Sequence, residues 1–290
     1  MGQGFDIAGG ESIGDDFKKA RAAGFTFGFV KLYQAPYGPD GGFPKAWPKV
    51  LEAGITRAPY IFPDYHPNAA TAMTQVKAAW SAFVAAGGWS PGDMTVGVDV
   101  EFPGGKLPQS IAGIIAFLED FVTAVKTVFG CWPIIYTSAR VWDGTDTDAL
   151  RGPTSWIPTK CDLWDKTAYV RAARQKDPGF VPTGRPKAPV AWTKPNSPGV
   201  SVNQWDGDVI DEPGFSATID LNRFITLSRA NATAEDAGRI NAFGAKLGVV
   251  TNGVWTDEFD AKLRAFQTSF GGQPDAIIGV ITYAHLSRMP

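Results

Sequence analysis

The chain has 290 residues, 44 % apolar and 19 % charged, the profile of a folded protein long enough for a barrel plus a short appendage. Lys+Arg number 27 and Asp+Glu 29, so the net charge of -2 supplies no basic surface for nucleic acid and no cluster for an anionic membrane. No apolar run reaches the roughly 18 residues of a membrane span, and no membrane insertion is expected.

Strand-like and helix-like stretches alternate through the first half. Phe5–Ala8 is a short apolar start, and Ile13, Phe17 and Ala20 recur at helical spacing before Gly24. Phe25–Tyr33 reads as a buried strand, Trp47, Val50 and Leu51 as a short helix, and Ile55–Phe62 as the next strand. Ala70, Met73, Val76, Trp80 and Phe83 form a helical stripe, and Thr95–Glu101 has the pattern of a barrel stave. Ile111, Ile114, Ile115, Leu118, Val122, Val125 and Phe129 mark the longest helix, followed by a strand at Pro133–Thr137. Beyond Trp142, short apolar pieces (Asp162–Trp164, Val190–Thr193, Val200–Trp205) are set among Pro- and Gly-rich loops. About eight strand candidates alternating with helices predict an α/β fold, an irregular (β/α) TIM-like barrel with a parallel sheet.

A polar break near Ser228–Glu235 divides the chain into a barrel over 1–228, a linker over 229–235 and a helical unit over 236–290. Thr233 with Asp236 has the spacing of a capping box. Ala237, Ile240, Phe243 and Leu247 share one helical face, Phe259, Leu263, Phe266 and Phe270 a second, and a third helix begins near Thr282. Cys131 and Cys161 lack C-x-x-C spacing and read as free buried thiols, with a single bridge as the alternative.

The chemistry narrows by elimination. His66 and His285 are the two histidines and fall in different units, which excludes sites built from several His ligands and weakens Ser-His-Asp schemes. No Walker sequence or dinucleotide fingerprint is present, so neither cofactor nor metal is expected. Carboxylates remain. Asp99 and Glu101 stand two residues apart on one strand, so their side chains point to the same side roughly 6–7 Å apart along the backbone. Two acids together suit glycosidic-bond hydrolysis, where a protonated acid and an ionised partner flank the bond. Asp6 and Asp220 occupy similar strand-end positions, and barrel sites assemble from the ends of several strands. Some of the ten Trp and nineteen Phe should line a carbohydrate groove, since apolar sugar faces stack on aromatic planes.

Gly4-Phe5-Asp6-Ile7, Phe29-Val30-Lys31-Leu32, Ala58-Pro59-Tyr60-Ile61-Phe62, Val98-Asp99-Val100-Glu101, Pro133-Ile134-Ile135-Tyr136-Thr137, Leu163-Trp164, Gln204-Trp205 and Ile219-Asp220-Leu221-Asn222 follow one another in a recognisable order. The set resembles the glycoside hydrolase family 25 (Chalaropsis-type) lysozymes over roughly residues 4–225. The resemblance implies Glu101 as proton donor and Asp99 as the partner carboxylate, stabilising the oxocarbenium-like state or an acetamido intermediate. It implies Asp6 and Asp220 as residues that orient the substrate and tune those two. Tyr60, Tyr136 and Lys31 would stand near the cleaved sugar, with Phe62, Trp164 and Trp205 as further substrate-binding side chains. The implied reaction is retaining hydrolysis of the β-1,4 bond after N-acetylmuramic acid, with bacterial peptidoglycan as partner and a monomer as the working form.

The chain departs from that family where Ala8-Gly9-Gly10 follow the first Asp, where Ile61 replaces a His, where Gln34 stands for an acid, and in the order Gln204-Trp205. These changes bear on the sugar subsites. Residues 236–290 resemble a peptidoglycan-binding-like three-helix module through Gly253-Val254-Trp255-Thr256, Leu263 through Gln267, Ile278-Gly279 and Thr282-Tyr283. The start Met1-Gly2-Gln3-Gly4-Phe5-Asp6 has neither the basic nor the apolar region of a signal peptide, which suggests a phage endolysin-like protein, cytoplasmic until released onto the wall. Two rivals stand beside this expectation: a catalytically silent wall-binding barrel, and a hydrolase of another N-acetylated glycan such as chitin.

Overall fold

The computed structural model describes residues 2–8, 14–102, 104–166, 182, 186, 188–194, 196–209 and 212–289. Ile13, expected on the first helix, lies outside them, as do Gly9 and Gly10. Eight strands close a barrel: β1 (Gln3–Ile7), β2 (Phe25–Gln34), β4 (Thr56–Phe62), β5 (Gly97–Asp99), β6 (Ile134–Thr137), β7 (Leu163–Lys166), β8 (Val200–Val209) and β9 (Ile219–Phe224). A two-residue β3 (Gly38–Pro39) is tabbed onto β2. Helices α1 (Phe17–Ala22), α2 (Phe43–Glu52), α3 (Ala72–Ala85), α4 (Ile111–Phe129) and α5 (Ala139–Asp143) follow the early strands.

The expected parallel order holds from β1 through β8 apart from the two-residue β3, which runs antiparallel to β2. It fails at β9, which runs antiparallel to both β8 and β1. A parallel return needs a crossover of a dozen or more residues, and residues 210–218 are too few. The strand expected at Val190–Thr193 is instead a 3-10 turn behind Pro189, tied down by Trp192 Nε1 donating to the Cys161 carbonyl (2.9 Å).

Strand alternation sorts the core into two layers. Phe5, Ile7, Val30, Leu32, Ile61, Val98, Ile135, Leu163 and Leu221 face the helices, whose apolar stripes cover them. Phe27, Phe29, Ala58, Tyr60, Ile134, Tyr136, Trp164, Val202 and Phe224 fill the barrel. Gly97 keeps that interior passable: a Cβ there would stand 3.0 Å from the Tyr60 Cβ and 3.5 Å from the Trp164 ring. Cys131 and Cys161 are buried free thiols.

Three C-terminal helices, α6 (Ala237–Lys246), α7 (Asp257–Ser269) and α8 (Val280–Ser287), close the barrel floor. Their apolar faces join the interior layer rather than forming a separate core: Tyr283 packs on Phe224 (ring centroids 5.2 Å) and Phe243 on Tyr283 (6.2 Å). Polar links reinforce the seam. Tyr283 Oη donates to Asp162 (3.0 Å), the Thr95 N–H to Ser287 Oγ (3.2 Å), and Leu227 pairs with Ile278 as a β-bridge. Residues 228–232 form a hydrogen-bonded turn, and the Thr233–Asp236 capping box opens the helical unit. Among the described residues no helix is long and apolar enough to cross a membrane.

Candidate active site

Inward-facing positions at the upper rim of the barrel are polar where those below are aromatic. Asp6, Asp99 and Lys166 lie at or next to the C-terminal ends of their strands, Lys31 stands three residues before the end of β2, and Gln204 lies midway along β8. Asp220 joins them from the start of β9, because that strand is reversed and sits opposite Asp6 in the β1–β9 register. Glu101 follows β5 by two residues, and its side chain is 27 % exposed where Asp99 is buried.

One amide organises two of the acids. Gln204 Nε2 donates to Asp6 Oδ2 (3.1 Å) and Asp220 Oδ2 (2.6 Å), while its carbonyl accepts from Tyr136 Oη (2.6 Å). Asn222 Nδ2 donates to Asp6 (2.6 Å) and is itself fixed by Trp164 Nε1 donating to its oxygen (2.7 Å). Trp164 stacks on Phe29 (3.9 Å, 17°) and meets the Tyr136 ring (4.6 Å) and the Tyr60 ring (6.0 Å). These aromatics brace the site from beneath.

The other two acids are treated differently. Asp99 Oδ1 has no hydrogen-bond partner among the described residues, and Tyr65 Oη donates to the Asp99 carbonyl (3.0 Å). Glu101 Oε1 accepts from Lys166 Nζ (2.7 Å). Burial pushes the Asp99 carboxyl well above the ordinary range and the Glu101 charge pushes it further, against Lys166 and Lys31. Asp6 is raised well above its usual value by burial and by Asp220. Asp220 is raised by burial too, with the Asp208 charge and then the Glu101 charge adding to it against the Asp208 N–H and Lys166. Each acid therefore lies within the electrostatic reach of another, as a cluster built for proton chemistry does.

Of the residues expected here, Asp6, Asp99, Glu101, Asp220, Lys31, Tyr60 and Tyr136 are brought to one mouth, with Trp164 as its support. Phe62 ends β4 beside Gln34 and is half-buried. Trp205 is not brought there. It is 1 % exposed and belongs to the helix-facing layer, because alternation along β8 from the inward Val202 turns Gln204 inward and Trp205 outward. Gln204, Lys166 and Tyr65 were not expected. Lys166 was legible as the residue two beyond Trp164 and so on the same strand face. A cleft of about 790 Å3 opens beside Glu101, lined also by Phe102, Arg140, Asp146 and Asp148.

A closed barrel with crowded carboxylates at its mouth is the arrangement of a glycoside hydrolase. The chain belongs to the glycosyl hydrolases family 25, whose model matches residues 5–161. Solved structures agree in fold. The lysozyme of Streptomyces coelicolor is 21% identical with a TM-score of 0.59, covering 82% of this chain and 98% of its own. A muramidase from Acremonium alcalophilum is 23% identical with a TM-score of 0.57, covering 82% and 100%. The catalytic domain of endolysin ply40, from bacteriophage P40 of Listeria monocytogenes, is 12% identical with a TM-score of 0.54, covering 78% and 93%. No curated protein sequence matches the chain.

Proposed function

We propose that the chain is a muramidase that hydrolyses the β-1,4 bond between N-acetylmuramic acid and N-acetylglucosamine in bacterial peptidoglycan. The observation that carries this is the pairing of a buried Asp99, one oxygen of which has no partner among the described residues, with a partly exposed Glu101 at the same strand end. Glu101 donates a proton to the glycosidic oxygen as the bond to the anomeric carbon breaks. Asp99 offers its vacant oxygen to the positive charge developing on the sugar, or to the acetamido N–H whose carbonyl attacks that carbon. Glu101 then takes a proton from the water that completes hydrolysis with retention. Asp6 and Asp220, held by Gln204 and Asn222, orient the sugar. The printed names of the similar structures, lysozyme, muramidase and endolysin, support the same substrate.

Residues 236–290 enter this reading as a wall-contacting face as well as the barrel floor. An open groove lined by Asn241, Val249, Thr251 and Asn252, beside the exposed Val250 and Val254, is where glycan contact is expected. The protein acts on the wall as a monomer, reaching it as phage endolysins do. Mass spectrometry of fragments released from purified peptidoglycan and reduced with borohydride tests the reaction. Muramitol at the new ends is expected. Glucosaminitol ends, or cleavage of chitin alone, would overturn it, and binding without cleavage would favour a silent wall-binding barrel.

A further inference from the structure

The cleft beside Glu101 meets the site at one acid only. Glu101 and Phe102 stand in its wall, while Asp6, Asp99, Asp220 and Tyr60 take no part in it. Its volume of about 790 Å3 lies within the range of sites that hold a small molecule. Position gives the cleft a direction. The sugar whose anomeric carbon reacts lies against Asp99, and the proton from Glu101 goes to the oxygen that departs. A space that touches the proton donor and not its partner carboxylate is therefore on the departing side of the bond.

Two loops build the cleft and are fastened to each other. The Leu107 N–H donates to the Thr147 carbonyl (3.2 Å), and the Thr147 hydroxyl donates to the Gly105 carbonyl. The Leu150 N–H donates to the Val141 carbonyl (2.7 Å), which ties the second loop back to α5. Arg140, also on α5, lines the cleft with a guanidinium fixed by two acids. Its Nη1 and Nη2 donate to Asp148 (2.9 and 2.6 Å), and Nη1 donates to Asp146 as well (3.3 Å). These bonds leave two of the five guanidinium N–H groups without a partner among the described residues, on a side chain 59 % exposed. Phe102 and Val141 are buried in the wall, whereas Arg140, Thr145 and Asp146 present polar atoms to the opening. Hydrogen bonds rather than stacking would hold a guest here, the chemistry of sugar hydroxyl and acetamido groups.

We propose, on the muramidase reading, that this cleft is the subsite for the first sugar of the departing segment, an N-acetylglucosamine, and that Arg140 binds it. Asp148 and Asp146 are positioning residues that hold the guanidinium ready, so little freedom is lost when the sugar arrives. The grip falls on the group that leaves. It aligns the glycosidic oxygen with Glu101 and decides which leaving groups the enzyme accepts.

The test uses the full chain and two substrates that share one tetrasaccharide, ending in N-acetylmuramic acid, on the retained side. One departs with N-acetylglucosamine, the other with a chlorophenyl group that has neither hydroxyl nor acetamido. Arg140→Ala is expected to lower kcat/KM by about tenfold or more on the first, the size of a lost hydrogen bond to a charged group, and by less than about twofold on the second. Arg140→Lys keeps the charge but loses the fork, and should show the same selectivity with a smaller loss. It carries the test if the alanine variant does not fold. Equal losses on the two substrates, or no loss on either, would overturn the subsite while leaving the muramidase reading intact. A wild type that cleaves neither substrate would overturn that reading and the subsite with it.

Discussion

Asp99 at the mouth of the barrel and Asp162 at its floor are both pushed upward by burial, yet their surroundings differ in kind. Asp162, just before β7, accepts from Tyr283 Oη (3.0 Å) and Ser201 Oγ (3.1 Å), and feels Arg239 and Lys246. Its charge is matched, and the hydrogen bonds fasten the C-terminal helices to the barrel. Asp99 keeps an oxygen without a partner among the described residues and faces a second carboxylate. Burial alone therefore does not mark a working acid. Burial with an unmet hydrogen bond and a like charge does, because a scaffold gains nothing from that arrangement.

The contrast breaks most visibly at the floor. Ending the chain after Ser228 would expose Phe224, Val202 and Leu227, which α6–α8 now cover. At about 1.5–3 kcal/mol for each large apolar side chain, the loss is of the order of the whole stability of a domain. The truncated chain is expected to lose its cooperative melt and expose apolar surface to dye. A melt like that of the full chain would mean that the helices are a tethered appendage. For the same reason wall binding by these helices is better probed with Val250→Asp, at a side chain 82 % exposed, than by truncation.

At the mouth, Glu101→Gln keeps the shape but carries no proton to donate. It is expected to lose about 10³-fold or more in turnover on purified walls, with little change in the thermal midpoint. Near-native turnover would remove Glu101 from the reaction. Tyr283→Phe is the milder counterpart at the floor. Removing the hydroxyl takes one of Asp162's donors, and a loss of about 1–2 kcal/mol in denaturant unfolding is expected with activity retained.

The sequence carried the acids further than it carried their holders. Alternation along one strand put Asp99 and Glu101 on the same side, and strand-end position singled out Asp6 and Asp220. Gln204 and Lys166 meet those acids across strands, through a register in which Lys166 opposes Gln204, and spacing along the chain does not contain that information. Trp205 faces the helices because it stands one residue beyond the inward Gln204, and neighbouring strand residues point to opposite faces. The reversal of β9 follows from a connection too short for a crossover. The stripes on α6, α7 and α8 announced apolar faces in need of cover, but a stripe does not say which surface covers it.

The thermal midpoint of Asp99→Asn, followed against pH beside its turnover, tests most directly whether the mouth gives up stability for chemistry. Below about pH 4 both folded and unfolded chains hold the Asp99 proton, and its burial costs nothing. As pH rises, the unfolded chain releases that proton while the folded chain, with its raised value, retains it, so stability falls through this window until the folded group also ionises. The amide escapes the penalty. Asp99→Asn should therefore melt a few degrees above the wild type at pH 7, by about 2–4 °C per kcal/mol, and together with it near pH 3, while turnover drops by several orders of magnitude. A midpoint at or below the wild type at pH 7 with turnover retained would contradict the account.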